Sequence, residues 1–433
     1  NMMLGYLNAI ESKSTHPIAT AVHEYVGQVD STIALDNVQE IAGYGLTASI
    51  KGQSFLAGNA KLLDKFNIQY PSEVAQSIDT VIVMAYAGQY VGFLTIADQI
   101  KADASHAVDT LKQLGVTTTM LSGDKTAVVK SVADKLHIER YFGDLLPEDK
   151  VTHLKTIKDQ PSNKANKKQT VAFVGDGVND APAIKNADIG ISMGITGTDV
   201  AKDTADMILV DDNFATIVNA VEEGRVIFSN IKKFVSFLLS CNIAEVAIVF
   251  LSILFGLPSP LTPIQLLWLN LVTDAFPALA LGVEPAEADI MERKPRDPDA
   301  AITSGETGKG IIFQSIAITI SVLLAYVIGL KYIFPNNIEG AHTMVFATLI
   351  TSELLRAFSV RSEKYTLKEL GWFSNKNLVK ANLLSFALLL VVMYVPILRK
   401  LFELEFISWQ WWIILLLSFL PLLIGEIRKR IRK

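Results

Sequence analysis

The chain carries a single cysteine, Cys241, in 433 residues. That excludes an intrachain disulfide framework and a Cys-rich metal cluster built from this chain alone. Charge is also scarce: 19% of residues are Asp, Glu, Lys or Arg, against an average of about 25% in soluble proteins. The formal net charge is −5, so there is no basic excess to hold a nucleic acid, and none is expected as a partner. No basic segment leading into an apolar core opens the chain, so no secretory leader is expected. Position 1 is Asn rather than Met, which suggests a portion of a longer protein.

Apolar residues are abundant instead. They make up 50% of the chain, and mean hydropathy is +0.34. Residues 1–230 mix charged and apolar residues as soluble domains do, while most of 234–426 falls into long apolar stretches. A helix needs roughly 20 such residues to cross a hydrocarbon core of about 30 Å. Six spans are predicted, at 234–256, 262–282, 311–333, 343–360, 378–398 and 410–426. The loop with Arg293, Lys294 and Arg296, the loop with Arg361, Lys364, Lys368 and Lys376, and the tail Arg428-Lys429-Arg430 all fall on one side. The positive-inside rule makes that side cytosolic, with both termini there and a lipid bilayer as partner.

Polar residues inside these spans are informative. Asn242 and Glu245 share a helix face, as do Asn270, Thr273 and Asp274, and Glu353 lies midway along the fourth span. A carboxylate at membrane depth costs about 2.5 kcal/mol or more, so it reads as functional by default. Together they form an all-oxygen ligand set of the kind Ca²⁺ takes. Pro258, Pro260, Pro263 and Pro277 bracket the second span, where a broken helix frees carbonyls for such a site. Asn242 or Thr273 alone reads equally well as interhelical hydrogen-bonding glue.

In the first half, Val171 to Pro182 reads Val-Ala-Phe-Val-Gly-Asp-Gly-Val-Asn-Asp-Ala-Pro, an apolar strand entering a glycine turn that presents Asp176, Asn179 and Asp180. Carboxylates at the end of a parallel strand, such as Asp176 and Asp180, can hold Mg²⁺ beside a phosphate. Upstream, a strand ends in Ser122-Gly123-Asp124, whose hydroxyl and backbone amide suit a phosphoryl oxygen, and Lys150 can neutralise phosphate charge. A lone Ser-Gly-Asp is more often a plain turn; the ordered set is what persuades. Strands near 116–121, 170–174 and 188–192 alternate with helices near 103–113, 125–136 and 181–186, a doubly wound α/β pattern. Residues 1–88 read as a smaller α/β unit with Glu11 and His16 at a helix start, Gly43 and Gly45 in a turn, and Asn59 after a strand. His16 suits a purine, although a lone His is usually structural.

These motifs resemble those of P-type cation-transporting ATPases. The resemblance implies that Asp176 binds Mg²⁺, that Asn179 and Asp180 support the phosphate site, and that Lys150 is its lysine. Ser122-Gly123-Asp124 is similar to the family's Thr-Gly-Asp motif with serine for threonine, and Asp98 with Lys101 to a hinge motif. Glu11, His16, Gly43, Gly45 and Asn59 resemble the ATP pocket of heavy-metal pumps. Asn242, Glu245, Asn270, Thr273, Asp274 and Glu353 resemble the ion ligands of calcium pumps. The change of branch falls at Gly175–Pro182, which reads as a natural recombinant or as a join between two genes. Arg356, one turn after Glu353, is expected to stand in for a cation there.

The family's Asp-Lys-Thr-Gly-Thr string, which carries the phosphorylated aspartate, does not occur in this sequence. A further half, with four helices and an actuator domain, is an expected partner, and this chain is not expected to pump alone. The expected fold is an α/β part, made of a small nucleotide-binding α/β domain (1–88) and a haloacid-dehalogenase-like doubly wound domain (89–230), followed by an all-α bundle of six transmembrane helices (231–433). ATP and Mg²⁺ are the expected cofactors and Ca²⁺ the favoured cargo, in a bacterial plasma membrane. A Zn²⁺ or Cd²⁺ pump and a non-catalytic nucleotide-binding membrane protein are the alternatives.

Overall fold

The computed structural model describes residues 2–13, 17–28, 32–41, 43–77, 80–96, 100–160, 169–297 and 299–432. They form two compact units, Asn1–Thr216 and Ile217–Lys433.

The first unit opens with helices α1 (Met2–Glu11) and α2 (Pro17–Val26) and an antiparallel five-stranded meander, β1 (Leu35–Ile41), β2 (Gly45–Ile50), β3 (Gln53–Gly58), β4 (Thr80–Tyr86) and β5 (Gln89–Ile96). Strand β2 alternates buried and half-buried residues, the period-two pattern of a sheet with a packed face. Leu46, Ala48 and Ile50 point that face at Tyr6, Leu7 and Ile10 of α1. The Tyr6 ring meets Phe55 edge-on with centroids 5.9 Å apart.

The rest of the unit is α/β, as the sequence pattern predicts. Helices α3 (Ala104–Gln113), α4 (Thr126–Lys135), α5 (Pro147–Asp159) and α6 (Ala181–Asn186) alternate with short parallel strands. These hydrogen-bond as two sheets: β6 (Thr119–Leu121) with β7 (Arg140–Phe142), and β9 (Ile189–Met193) between β8 (Ala172–Gly175) and β10 (Met207–Leu209). Leu121 of β6 packs against a core of Leu154, Phe173, Ala183 and Ile184, which brings the ends of β6 and β8 together over α5.

The second unit is helical. Its elements are α7 (Thr216–Leu254), α8 (Pro263–Trp268), a π-turn (Leu269–Thr273), α9 (Ala275–Leu281), α10 (Glu306–Ile328), α11 (Ile338–Ser359), α12 (Lys376–Tyr394) and α13 (Trp411–Ile431). Ile243, Val246, Phe250, Ile316, Ile320, Leu383 and Leu416 are exposed, so the outer surface is as apolar as the inside. A bundle with greasy walls on both sides suits lipid rather than water.

One expectation is corrected here. Among the described residues five helices, not six, are long and apolar enough to cross a membrane: Thr216–Leu254, Pro263–Leu281, Glu306–Ile333, Lys376–Tyr394 and Trp411–Ile431. The span expected at 343–360 is a helix, α11, but a polar one, carrying His342, Thr343, Thr348, Thr351, Ser352, Glu353 and Arg356. It tolerates them because 18 of its 22 residues are buried. Enclosed by α10, α12 and α13, it presents little surface to lipid and needs no apolar stripe of its own.

Candidate phosphate and cation sites

Strand β8 runs into the glycine turn at Gly175, and Asp180 folds back into it. Its Oδ2 accepts the backbone N–H of Gly177 at 3.2 Å and of Asp176 at 3.4 Å. A Cβ on Gly175 would sit 2.6 Å from the Asp180 Cβ, so only glycine lets the carboxylate lie that close. Lys150, on α5, donates to Asp180 Oδ1 at 2.7 Å, and both side chains are largely buried. Asp176 and Asn179 are exposed beside this pair.

At the end of β6, Ser122 Oγ donates to Asp124 Oδ2 at 2.8 Å and accepts the Asp124 N–H at 3.2 Å. The turn is held from below, where Asp144 accepts the N–H and hydroxyl of Thr126. Side-chain and backbone donation from Thr126 lower the Asp144 carboxyl below its ordinary range. Lys150, Asp176, Asn179 and Asp180 thus cluster at the turn after β8, while Ser122, Gly123 and Asp124 follow β6, whose Leu121 packs into the same core; strand ends of this kind are where an open α/β sheet offers its ligand crevice.

Sequence reasoning missed Asp212. It is buried and accepts the backbone N–H groups of Ile195 and Thr196, both at 2.7 Å. Burial alone would raise its pKa, but the amide donors outweigh burial and hold it at about 2. Lys101 donates to the Asp212 carbonyl oxygen, and Asn213 Nδ2 donates to Asp103 at 2.6 Å, tying the segment before α3 to the segment after β10.

In the meander, Gly43, Gly45 and Asn59 come together. Asn59 Nδ2 donates to the Gly43 carbonyl at 2.8 Å. Gly45 has φ +141°, and a Cβ there would lie 2.3 Å from the Ala57 carbonyl oxygen. Glu11 is buried at the end of α1. His16 and Asp98 lie outside the described residues, as do 161–168.

Three of the carboxylates that the second unit buries lie inside its helix bundle. Glu245 on α7, Asp274 after the π-turn and Glu353 on α11 are 5%, 1% and 0% exposed. Five of their oxygens have no hydrogen-bond partner: Glu245 Oε1, both of Asp274 and both of Glu353. Glu353 lies within electrostatic reach of the other two. Negative oxygens converging in an apolar interior are unfavourable unless a cation or protons join them; the donor set fits a cation.

The π-turn explains how two candidate ligands come from one short segment. Its wider i to i−5 bonding, with Asp274 N–H donated to the Leu269 carbonyl at 3.1 Å, turns Asp274 inward. Asn270 is more exposed and donates from Nδ2 to Glu245 Oε2 at 2.8 Å. Asn242 and Thr273 donate to carbonyls of their own helices, Leu238 and Leu269. Arg356 does not pair with Glu353; it donates to Ser240 and Ser359 hydroxyls. A residue missed from the sequence joins the set: Cys241 Sγ lies within 4.8 Å of Asp274 and Glu353 ligand oxygens, and Cys241 is fully buried. Its place four residues before Glu245 was the available signal.

The profile described as "Cation transporting ATPase, C-terminus" matches residues 258–431, and that described as "haloacid dehalogenase-like hydrolase" matches residues 3–188. A "Calcium-transporting ATPase 1" of Bacillus cereus is 37% identical over 379 residues, covering 79% of this chain and 43% of its own length. A "Calcium-transporting ATPase" of Bacillus subtilis is 37% identical over 367 residues, covering 78% and 41%. The chain belongs to the P-type cation-transporting ATPases. It spans less than half the length of these P-type relatives. A solved zinc-transporting PIB-type ATPase in its E2.Pi state matches with TM-score 0.51 and 27% identity, over 67% of this chain and 44% of that one. An alignment covering 79% of the chain cannot fit on either side of Gly175–Pro182, so the Bacillus cereus P-type relative matches across the string where the two branches were expected to part.

Proposed function

We propose that this chain is the ion-binding, phosphate-handling and nucleotide-binding portion of an ATP-driven cation pump, with Ca²⁺ as its cargo. The observation that carries the reading is the set of five unpartnered carboxylate oxygens on Glu245, Asp274 and Glu353 inside the helix bundle. Hard oxygen ligands suit Ca²⁺, and the carbonyl-freeing π-turn beside Asp274 supports the same reading. Residues 231–433 act as the membrane domain, 89–230 as the phosphorylation domain and 1–88 as the nucleotide domain. In the last two, Gly43, Gly45, Asn59, Glu11 and His16 take ATP, and Asp176 and Asp180 serve Mg²⁺ while Ser122, Gly123, Asp124, Lys150 and Asn179 hold the phosphoryl group. Phosphorylation would switch the carboxylates between tight and weak states, a bistable rearrangement. The membrane is the plasma membrane of a bacterium, and the remaining helices and actuator belong to the rest of the pump.

Because turnover needs a nucleophile that no Asp-Lys-Thr-Gly-Thr string supplies here, the test reads binding. Equilibrium binding of radioactive Ca²⁺ to the full chain in neutral detergent should be saturable, and Asp274→Asn should remove it. Binding that survives that substitution would defeat the ligand set.

A second reading rests on Cys241, whose sulfur within 4.8 Å of two carboxylates favours a softer ion such as Zn²⁺ or Cd²⁺. The zinc-transporting structural neighbour supports it.

A further inference from the structure

One helical turn beyond Glu353, Arg356 is 8% exposed. Its Nε donates to Ser240 Oγ at 3.2 Å and a terminal nitrogen donates to Ser359 Oγ at 3.0 Å. Both partners are neutral hydroxyls, and among the described residues no carboxylate pairs with it. A guanidinium cannot shed its proton in a protein, so the charge stays where it is. A buried cation left without an anion is strongly unfavourable.

Arg356 lines a cavity of about 320 Å³ at one end of the bundle. Eight lysine and arginine side chains line that cavity against four carboxylates. The carboxylates are already engaged. Glu287 holds Lys233 and Arg293, and Asp289 holds Arg293 and Lys364. Glu306 holds Arg432 at 2.6 Å, leaving Arg428 at 3.8 Å. Lys429, also on the wall, donates to the Ser359 carbonyl at 2.7 Å and pairs with Glu426. Positive charge is therefore in excess, and of its two buried members, Lys233 and Arg356, Lys233 pairs with Glu287 while Arg356 points at neutral groups.

We infer that this cavity binds a phosphate group, with Arg356 as the buried anchor and Arg428 and Lys429 closing over the oxygens. A phosphodiester offers two unesterified acceptor oxygens and inorganic phosphate offers more, and both match the planar fork of arginine. The cavity lies at the end of the bundle bearing Arg293, Lys364 and Arg428, which the positive-inside rule makes cytosolic. Two sources share this chemistry, the headgroup of an anionic phospholipid of that leaflet and free inorganic phosphate. Neither requires Ca²⁺ transport, so the inference stands or falls apart from the proposed cargo.

The full chain in neutral detergent is titrated with dihexanoyl phosphatidylglycerol and with dihexanoyl phosphatidylcholine, bound lipid being counted by native mass spectrometry. Radioactive orthophosphate is measured in parallel by equilibrium dialysis. The phosphatidylglycerol should bind about tenfold more tightly than the phosphatidylcholine, and Arg356→Gln should remove that preference. Orthophosphate that competes with the lipid and responds to Arg356→Gln, but not to Lys150→Ala, identifies a free phosphate site. Lipid binding without such competition identifies the headgroup. If Arg356→Gln does not fold, Arg428→Gln, at a side chain 24% exposed, should weaken the same binding several-fold. Equal binding of both lipids with no Arg356-dependent or Arg428-dependent orthophosphate overturns the site.

Discussion

Lys150 Nζ and Asp180 Oδ1 lie 2.7 Å apart, with side chains 14% and 12% exposed, and they join helix α5 to the glycine turn after β8. The pair fixes a cation beside the turn, on the Asp180 oxygen that the turn's own amides leave free. Lys150→Ala leaves Asp180 with only the Gly177 and Asp176 amides for company. Chemical unfolding should report a loss of about 1–3 kcal/mol, whereas Lys150→Arg should retain most of the stability. A Lys150→Ala variant as stable as the parent would mean that water already holds Asp180.

Gly45 should not accept alanine. A Cβ there meets the Ala57 carbonyl at 2.3 Å and Gly58 Cα at 2.5 Å, both backbone atoms, and its φ of +141° strains any side chain. Gly43, with φ +79° and nothing within 4 Å, carries only the conformational cost. Thermal unfolding should therefore show Gly45→Ala losing more than Gly43→Ala, the latter costing about 1 kcal/mol. Equal losses would refute the close approach.

Local chemistry explains what the sequence made legible. Gly175-Asp-Gly-Val-Asn-Asp180 lies at a strand's end because a run of apolar residues must stop where glycines turn the chain, and the parallel strands β8 and β9 were readable in the same way. Carboxylates within apolar stretches announced Glu245, Asp274 and Glu353, since burial that costly needs a reason. Contacts far apart in the chain were not readable. Asp212 reaches the amides of Ile195 and Thr196 across 16 or 17 residues, and nothing in its neighbours' identity marks it. The span count ran one too high because the stretch at 343–360 was read as facing lipid, whereas α11 carries many polar residues and faces other helices. The same helix shows why Arg356 was misassigned: helical spacing puts it on the Glu353 side, but its long side chain reaches back to Ser240.

Two carboxylates outside the bundle set an acid limit. Asp212 is held at about 2 by backbone donors working against burial, and Asp289 at about 2 by Arg293 and Lys364, also against burial. In the unfolded chain an aspartate titrates near about 3.9. Between those values the unfolded state binds more protons, so stability rises with pH. Both contributions are fully present above about pH 4 and fade as the pH falls toward about 2. Urea unfolding over that range should show the parent losing stability faster than Asp212→Asn as acid is added. Parallel curves would remove Asp212 from the account.

Cys241 separates the two ion readings. Its sulfur lies within 4.8 Å of Asp274 and Glu353 oxygens, and Cys241→Ser replaces a soft ligand with a hard one of similar size. If the cargo is Ca²⁺, equilibrium binding of Ca²⁺ should be unchanged or stronger in the variant. If it is Cd²⁺ or Zn²⁺, the affinity for that ion should fall by about tenfold or more.

Glu353 should be a site where function opposes stability. It is 0% exposed and neither carboxylate oxygen has a hydrogen-bond partner, while Asp274 beside it has two more unpartnered oxygens. With no cation present these groups either repel one another in a medium that screens them poorly or must take up protons to avoid it. Glu353→Gln keeps the shape and removes one charge, so in chelator the variant should unfold at a higher temperature than the parent. Added Ca²⁺ should reverse the order. A ligand that binds only the folded state stabilises it by about 2.7 kcal/mol at a hundred times its dissociation constant, and the variant, lacking one ligand oxygen's charge, should gain much less. Melting in chelator and in millimolar Ca²⁺ therefore gives two curves for each protein, and they should cross. If the parent is the more stable in both, Glu353 is a structural carboxylate satisfied without an ion.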